Sequence, residues 1–210
     1  MRIALFCFGF IVLSITGKAQ ITEDFSDGDF CSDPEWAGCE SFFRVNDDLQ
    51  LQSDAEGADT AYLVTEMAGF EAEEWRFWVK LGFSPSANNY ARFYLFCDSD
   101  RPDESLNGVF IQLGEAGSGD AVKLYRKKGT NLSLICSGTE GLISSSFSLF
   151  IKVKRYPGHW EVFVSEDGSL FYKDSEADDE DDDPYGYLGL YCQFTKSNSK
   201  KFYFDDIYCG

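Results

Sequence analysis

The sequence predicts an all-β chain, built as two antiparallel sheets packed face to face. From about residue 41 onward, short runs of β-branched and aromatic residues alternate in polarity. Gly, Asn, Asp, Ser or Pro interrupts these runs at short intervals, and no segment sustains a helical period. About ten strands in such a series are the pattern of a sandwich or jelly roll.

In chain order the runs are Ala61–Thr65, Trp75–Leu81, Tyr90–Cys97, Gly108–Leu113, Ala121–Arg126, Leu132–Cys136, Phe147–Lys154, Trp160–Val164, Tyr187–Phe194 and Lys201–Tyr208. Tight turns are expected at Lys128-Gly129-Thr130, Tyr156-Pro157-Gly158, Glu166-Asp167-Gly168 and Lys196–Lys200, each with a residue that tolerates a reversal of the backbone. No internal repeat is visible.

Met1–Ala19 reads as an export signal: Arg2 is the positive start, Ile3 to Ile15 the apolar core, and Gly17-Lys18-Ala19 the cleavage region. The apolar run is shorter than the roughly 20 residues that span a bilayer. Residues 20–210 are then expected as one exported sandwich, secreted or at the cell surface. Loss of Arg2 and Lys18 takes the formal charge from −18 to −20. So acidic a chain is repelled by nucleic-acid phosphate and anionic lipid, which sets both aside as partners.

Cys7 leaves with the signal, and Cys31, Cys39, Cys97, Cys136, Cys192 and Cys209 remain. An even count in an exported chain favours disulfides. The pairing expected from local sequence is Cys31 with Cys39, since Pro34 and Gly38 let the intervening segment turn back. Zinc is disfavoured by the spacing and by the presence of a single histidine, His159.

Side chains on a strand alternate between faces, so each run divides into a core set and an outer set. Trp75, Phe77, Val79 and Leu81 oppose Arg76, Trp78 and Lys80. Ala91, Phe93, Leu95 and Cys97 oppose Tyr90, Arg92, Tyr94 and Phe96, while Val109, Ile111 and Leu113 oppose Phe110 and Gln112. Leu188, Leu190, Cys192 and Phe194 oppose Tyr187, Tyr191 and Gln193. If these strands are neighbours, one sheet presents Trp78, Arg92, Tyr94, Gln112, Tyr191 and Gln193 to solvent. Rings interleaved with amides and a guanidinium suit a sugar, whose C–H faces stack on rings while its hydroxyls need flat donors and acceptors. The competing reading is that the rings pack beneath a covering loop.

Two acidic features admit a cation or plain solvation. Asp178 to Asp183 is an acidic run, expected as a solvated loop because it lacks the spaced pattern that wraps calcium. Asp24, Asp27 and Asp29 near the mature start, with Asp205 and Asp206 near the end, come close if the first and last strands pair. A structural calcium there is one reading; turn residues bonded to local amides are the other.

No active site is expected. His159 sits in a turn entering a strand, with no nucleophile pattern around it. Glycoside hydrolysis needs two carboxylates across the scissile bond. Neither Glu71, Glu73 and Glu74 nor Glu161 and Glu166 fall in the alternating Glu, Asp, Glu pattern of sandwich glucanases.

Several dispersed motifs resemble one family: Ile21-Thr-Glu-Asp-Phe-Ser-Asp-Gly-Asp-Phe30, Asp33-Pro34-Glu-Trp36-Ala-Gly38, Glu74-Trp75-Arg-Phe77-Trp78-Val79-Lys80, Asn89-Tyr90-Ala91-Arg92, Leu106-Asn107-Gly108 and Phe202-Tyr-Phe-Asp-Asp-Ile207. Together they look like the amino-terminal domain of secreted Bacteroidetes surface proteins, the lamin-tail-domain proteins, over about Ile21 to Gly210. The resemblance implies a concanavalin A-like (laminin G-like) jelly roll, commonly followed by further extracellular domains, and it brings no catalytic residues. In that setting Asp59-Thr60-Ala61 matches a short O-glycosylation pattern, whereas Asn131-Leu132-Ser133 fits an N-glycosylation sequon that a bacterial host usually ignores. The expectation is a non-enzymatic module that binds an extracellular glycan. A structural spacer and a glycoside hydrolase are the alternatives.

Overall fold

The computed structural model describes residues 20–67, 71–117, 119–180 and 186–210, so the export signal lies outside the described residues. The strands are β1 (Ile21–Glu23), β2 (Ala37–Gly38), β3 (Phe43–Val45), β4 (Leu51–Ser53), β5 (Asp59–Glu66), β6 (Glu74–Leu81), β7 (Tyr90–Cys97), β8 (Leu106–Leu113), β9 (Val122–Gly129), β10 (Asn131–Ser137), β11 (Phe147–Tyr156), β12 (His159–Ser165), β13 (Tyr172–Asp178), β14 (Tyr187–Phe194) and β15 (Phe202–Cys209). One short 3-10 turn, Glu40–Phe42, is the helical element among the described residues. All ten expected runs are strands.

The first sheet runs β13-β12-β11-β6-β15-β4-β3, with β1 also paired to β15. The second runs β10-β9-β8-β7-β14-β5-β2. Every pairing is antiparallel. The fold is an all-β jelly-roll sandwich, as the alternation predicts.

The strands invisible in sequence share a physical cause. β1 to β4 are two or three residues long, too short to show a period. β13 reads Tyr-Lys-Asp-Ser-Glu-Ala-Asp, a polar edge strand of the kind that discourages pairing with other chains. The turns at Gly129, Gly158 and Gly168 join neighbouring strands as expected. Residues 196–200 do not form a hairpin, because β14 and β15 belong to opposite sheets.

The inward faces meet in an aromatic core. Phe77 of the first sheet stacks on Phe93 of the second, centroids 3.8 Å apart and 3° from parallel. Trp75 and Trp160 stack at 5.9 Å, and Phe96 closes on both. Burying each ring from water contributes about 1.5–3 kcal/mol.

A β-bulge between Tyr94 and Phe96 changes the alternation of β7. Phe96, expected outside with Arg92, turns into the main core, and Cys97, expected inside, joins a second cluster on the outer side. That cluster is Tyr62, Tyr94, Cys97, Leu106, Phe110 and Tyr191. The 98–105 loop is tied to it: Tyr94 Oη donates to the Pro102 carbonyl at 3.5 Å, Lys127 Nζ to the Glu104 carbonyl at 2.5 Å, and Arg101 lies 5.7 Å from the Tyr62 ring centre.

Candidate functional site

The outer face of the second sheet is set by register. Tyr191 of β14 lies opposite Arg92 of β7, and Arg92 lies opposite Gln112 of β8. Gln112 in turn faces Lys123 of β9, and Gln193 faces Tyr90. Four of the six expected ligand residues, Arg92, Gln112, Tyr191 and Gln193, are thereby side by side.

Arg92 is the centre of this array. Its Nε donates to Gln112 Oε1 at 3.1 Å, and Gln112 Nε2 donates onward to the Gly114 carbonyl at 3.1 Å. The guanidinium carbon lies 4.8 Å from the Phe110 ring centre, 5.1 Å from Tyr90 and 5.7 Å from Tyr191, which are cation–π distances. Tyr90 and Tyr191 lie 6.0 Å apart, and Tyr90 Oη donates to Gln193 Oε1 at 3.0 Å. Lys123 is held by Glu115 at 2.5 Å, and Tyr125 stacks on Phe110 at 5.8 Å. Arg92, Gln112, Gln193, Tyr90, Lys123 and Tyr125 are all half-buried. β7, β8, β9 and β14 contain no Asp or Glu.

Two expected members do not belong. Trp78 is on β6, in the other sheet, where Nε1 donates to Ser148 Oγ at 2.9 Å. Tyr94 does lie on the right face, but the 98–105 loop seals it completely, and burial pushes its hydroxyl up to about 12. For Tyr94, the covering-loop reading was the correct one. Burial also raises the Tyr191 hydroxyl, and 7% of that residue is exposed. Lys123 and Tyr125 were missed because nothing in the sequence reveals that β9 pairs with β8. Tyr90 could be found from alternation alone.

The terminal carboxylates gather at one edge of the first sheet. β1 pairs with β15 in the register Glu23↔Ile207, as pairing of the first and last strands requires. Beside it opens a cleft of about 600 Å³ whose lining includes Glu23, Asp24, Asp27, Arg76, Phe171 and Asp206. Asp206 has a left-handed backbone, φ 49°, within the bulge between Asp205 and Tyr208. Asp tolerates that conformation better than most residues.

Burial raises the Asp205 carboxyl to about 6, with Asp206 and Asp24 adding repulsion. Glu23, which the sequence did not single out, is pushed to about 7 by burial and by Asp27 and Asp24. The carboxylates are nonetheless used locally. Asp24 accepts from Ser26 N, Asp27 from Asp29 N, Asp29 from Phe30 N, Cys31 N and Ser32 Oγ, and Asp205 from Asp206 N. No three of Asp24, Asp27, Asp29, Asp205 and Asp206 bring ligand oxygens within 4.8 Å of one another. Among the described residues, that spacing is met by His159, Glu161 and Glu176. These bonds fit the turn-residue reading, the pattern in which Asp side chains cap local amides.

The His159 group already holds a cation. Lys173 Nζ lies 2.8 Å from Glu161 and 2.7 Å from Glu176, and His159 Nδ1 lies 2.7 Å from Asp178, which raises the imidazole. Asp178 ends β13 and Asp179 pairs with buried Arg126, so the acidic run begins as strand rather than free loop. Asp181 to Asp183 lie outside the described residues.

The expected Cys31–Cys39 disulfide is not formed: both thiols are free, as are Cys97, Cys136, Cys192 and Cys209. Cys31 is exposed on a turn held by Asp29, whereas half-buried Cys39 packs against both clusters.

No family model and no curated protein sequence matches the chain. Solved structures do. The carbohydrate binding module CBM66 from Bacillus subtilis superposes with a TM-score of 0.55 at 11% identity, covering 83% of this chain and 95% of that one. A legume lectin-like domain from Entamoeba histolytica gives 0.60 at 11%, covering 93% and 97%. Bacillus licheniformis beta-glucanase gives 0.60 at 8%, covering 92% and 98%. At these identities the likeness establishes the fold alone, an all-β jelly-roll sandwich.

Proposed function

We propose that this chain is a secreted, non-enzymatic module that binds an extracellular glycan on the outer face of its second sheet. The observation that carries the reading is the array of Arg92, Gln112, Tyr90, Tyr191 and Gln193, which sets amide and guanidinium groups among aromatic rings. Such a surface offers stacking to sugar C–H faces and directed hydrogen bonds to hydroxyls. The absence of Asp and Glu from β7, β8, β9 and β14 supports binding over hydrolysis, because a glycosidase needs two carboxylates across the bond it breaks. The lectin-like and carbohydrate-binding neighbours support the same reading, and Met1–Ala19 supports export.

The test is a glycan array probed with the purified protein, followed by affinity measurements on Gln112→Ala, Gln193→Ala and Trp78→Ala. Loss of one hydrogen bond of about 1 kcal/mol weakens binding about fivefold. Gln112→Ala and Gln193→Ala are expected to show that loss, and Trp78→Ala on the opposite sheet to bind like the parent. Silence across the array, from protein shown to be folded, would overturn the reading in favour of a structural spacer.

A further inference from the structure

The four central strands of the candidate face carry cations and no carboxylate of their own. The chain carries 36 acidic and 18 basic residues, yet β7, β8, β9 and β14 hold no carboxylate and place Arg92, Lys123 and Lys127 on this face, while Arg126 and Lys128 fall on the opposite side of β9. Carboxylates answer many cations elsewhere: Arg76 by Glu74, Arg101 by Asp103, Arg126 by Asp179, Lys200 by Asp54. On the face itself Glu115 neutralises Lys123.

Arg92 and Lys127 are different. Among the described residues, neither has a carboxylate oxygen within 4 Å. The acceptor for Arg92 is the neutral amide of Gln112, and that for Lys127 is the Glu104 backbone carbonyl. Lys127 is only 8% exposed, and burial together with the charge of Arg92 lowers its pKa. The charge of buried Lys127 acts on the same surroundings as half-buried Arg92, and their combined positive potential favours an anion at the exposed side of Arg92.

The shape of the site narrows the anion. A guanidinium is a planar fork that matches the two oxygens of a carboxylate, and it binds them more strongly than it binds neutral hydroxyls. Tyr90 and Tyr191 flank the same guanidinium, so the group that reaches it has to carry a C–H surface alongside its charge. A sugar acid satisfies both demands; a free inorganic anion satisfies one.

We infer that the face recognises a uronic-acid-containing glycan, with Arg92 receiving the sugar carboxylate. The inference rests on the sugar-binding reading of the face and specifies its ligand class. Lys127 holds the covering loop in place and contributes positive potential rather than direct contact.

The test uses the purified protein with polygalacturonate, alginate and hyaluronan, each paired with its carboxyl-reduced neutral form. At least one acidic polymer is expected to bind, and carboxyl reduction to weaken that binding tenfold or more. Arg92→Gln should cause a comparable loss for the acidic polymer, with Arg92→Lys intermediate because it keeps the charge and not the fork. Near-ultraviolet circular dichroism and thermal melting establish that both variants are folded.

Equal binding of acidic and reduced forms would overturn the uronate assignment and leave the glycan reading standing, as would binding to neutral glycans alone. Acidic binding that survives Arg92→Gln in a folded protein would overturn the role of Arg92. No binding to any acidic or neutral glycan would remove both readings.

Discussion

Glu23 provides a pH-dependent test of the edge where β1 meets β15. The residue is largely buried, and its carboxyl accepts from Phe25 N at 2.7 Å and is raised from 4.5 to about 7. A carboxyl whose folded pKa exceeds its unfolded pKa binds more protons in the folded state between those values. Its contribution is therefore fully present below about pH 4.5 and is lost as pH rises through about 7. A shift of about 2.5 units at about 1.4 kcal/mol per unit sets a ceiling near 3.5 kcal/mol. Solvent screening at this partly open edge reduces it to about 1.5 kcal/mol.

Glu23→Gln keeps the oxygen that accepts from Phe25 and removes the charge. Urea unfolding at pH 4 is expected to show parent and variant nearly equal, because Glu23 is protonated in both states of the parent. At pH 8 the variant is expected to be more stable by about 1.5 kcal/mol. Asp205, raised to about 6 by burial and its neighbours, acts in the same direction in both proteins and cancels in the difference. A stability gap of the same size at pH 4 and pH 8 would refute the reasoning, since it would mean that the Glu23 pKa does not change on folding.

Three further outcomes are expected. Trp160→Ala removes a fully buried ring stacked on Trp75 at 5.9 Å, and denaturant melts should show a loss of about 3–5 kcal/mol. Gly108→Ala places a Cβ 2.5 Å from the Phe96 carbonyl oxygen and 2.8 Å from Cys97 Cβ, at the bulge of β7. Overpacking of this kind costs about 1–3 kcal/mol, and an unchanged melting temperature would contradict the register given for β7 and β8. Under native conditions a thiol reagent should modify exposed Cys31 first and reach Cys192 only on unfolding, because burial both hides the latter and raises its pKa. Failure of Cys31 to react in the folded, unreduced protein would restore the disulfide expectation.

The site was partly legible for a definite reason. Arg92, Gln112, Tyr191 and Gln193 could be found because they stand on regular strands with intact alternation, where a period of two determines the face. Tyr94 sits on that face too, but whether a loop covers it depends on residues 98–105 folding back, which no local period encodes. Phe96 and Cys97 exchanged sides because one bulged residue inverts every later assignment on its strand. Trp78 was misplaced for another reason: strands that look alike in sequence divide between sheets by long-range pairing.

By itself, the sequence determined the all-β class, ten of the eleven longer strands and the turns at Gly129, Gly158 and Gly168, since these depend on the alternation of neighbours and on backbone freedom at single residues. Only the tertiary structure decided which strands share a sheet, which outward rings are sealed, and that Cys31 and Cys39 do not pair. It also decided that Arg92 and Lys127 sit on one face with a neutral amide and a backbone carbonyl, rather than carboxylates, as their acceptors. Such outcomes depend on contacts between residues far apart in the chain, where burial, register and charge are set by partners that no local pattern names.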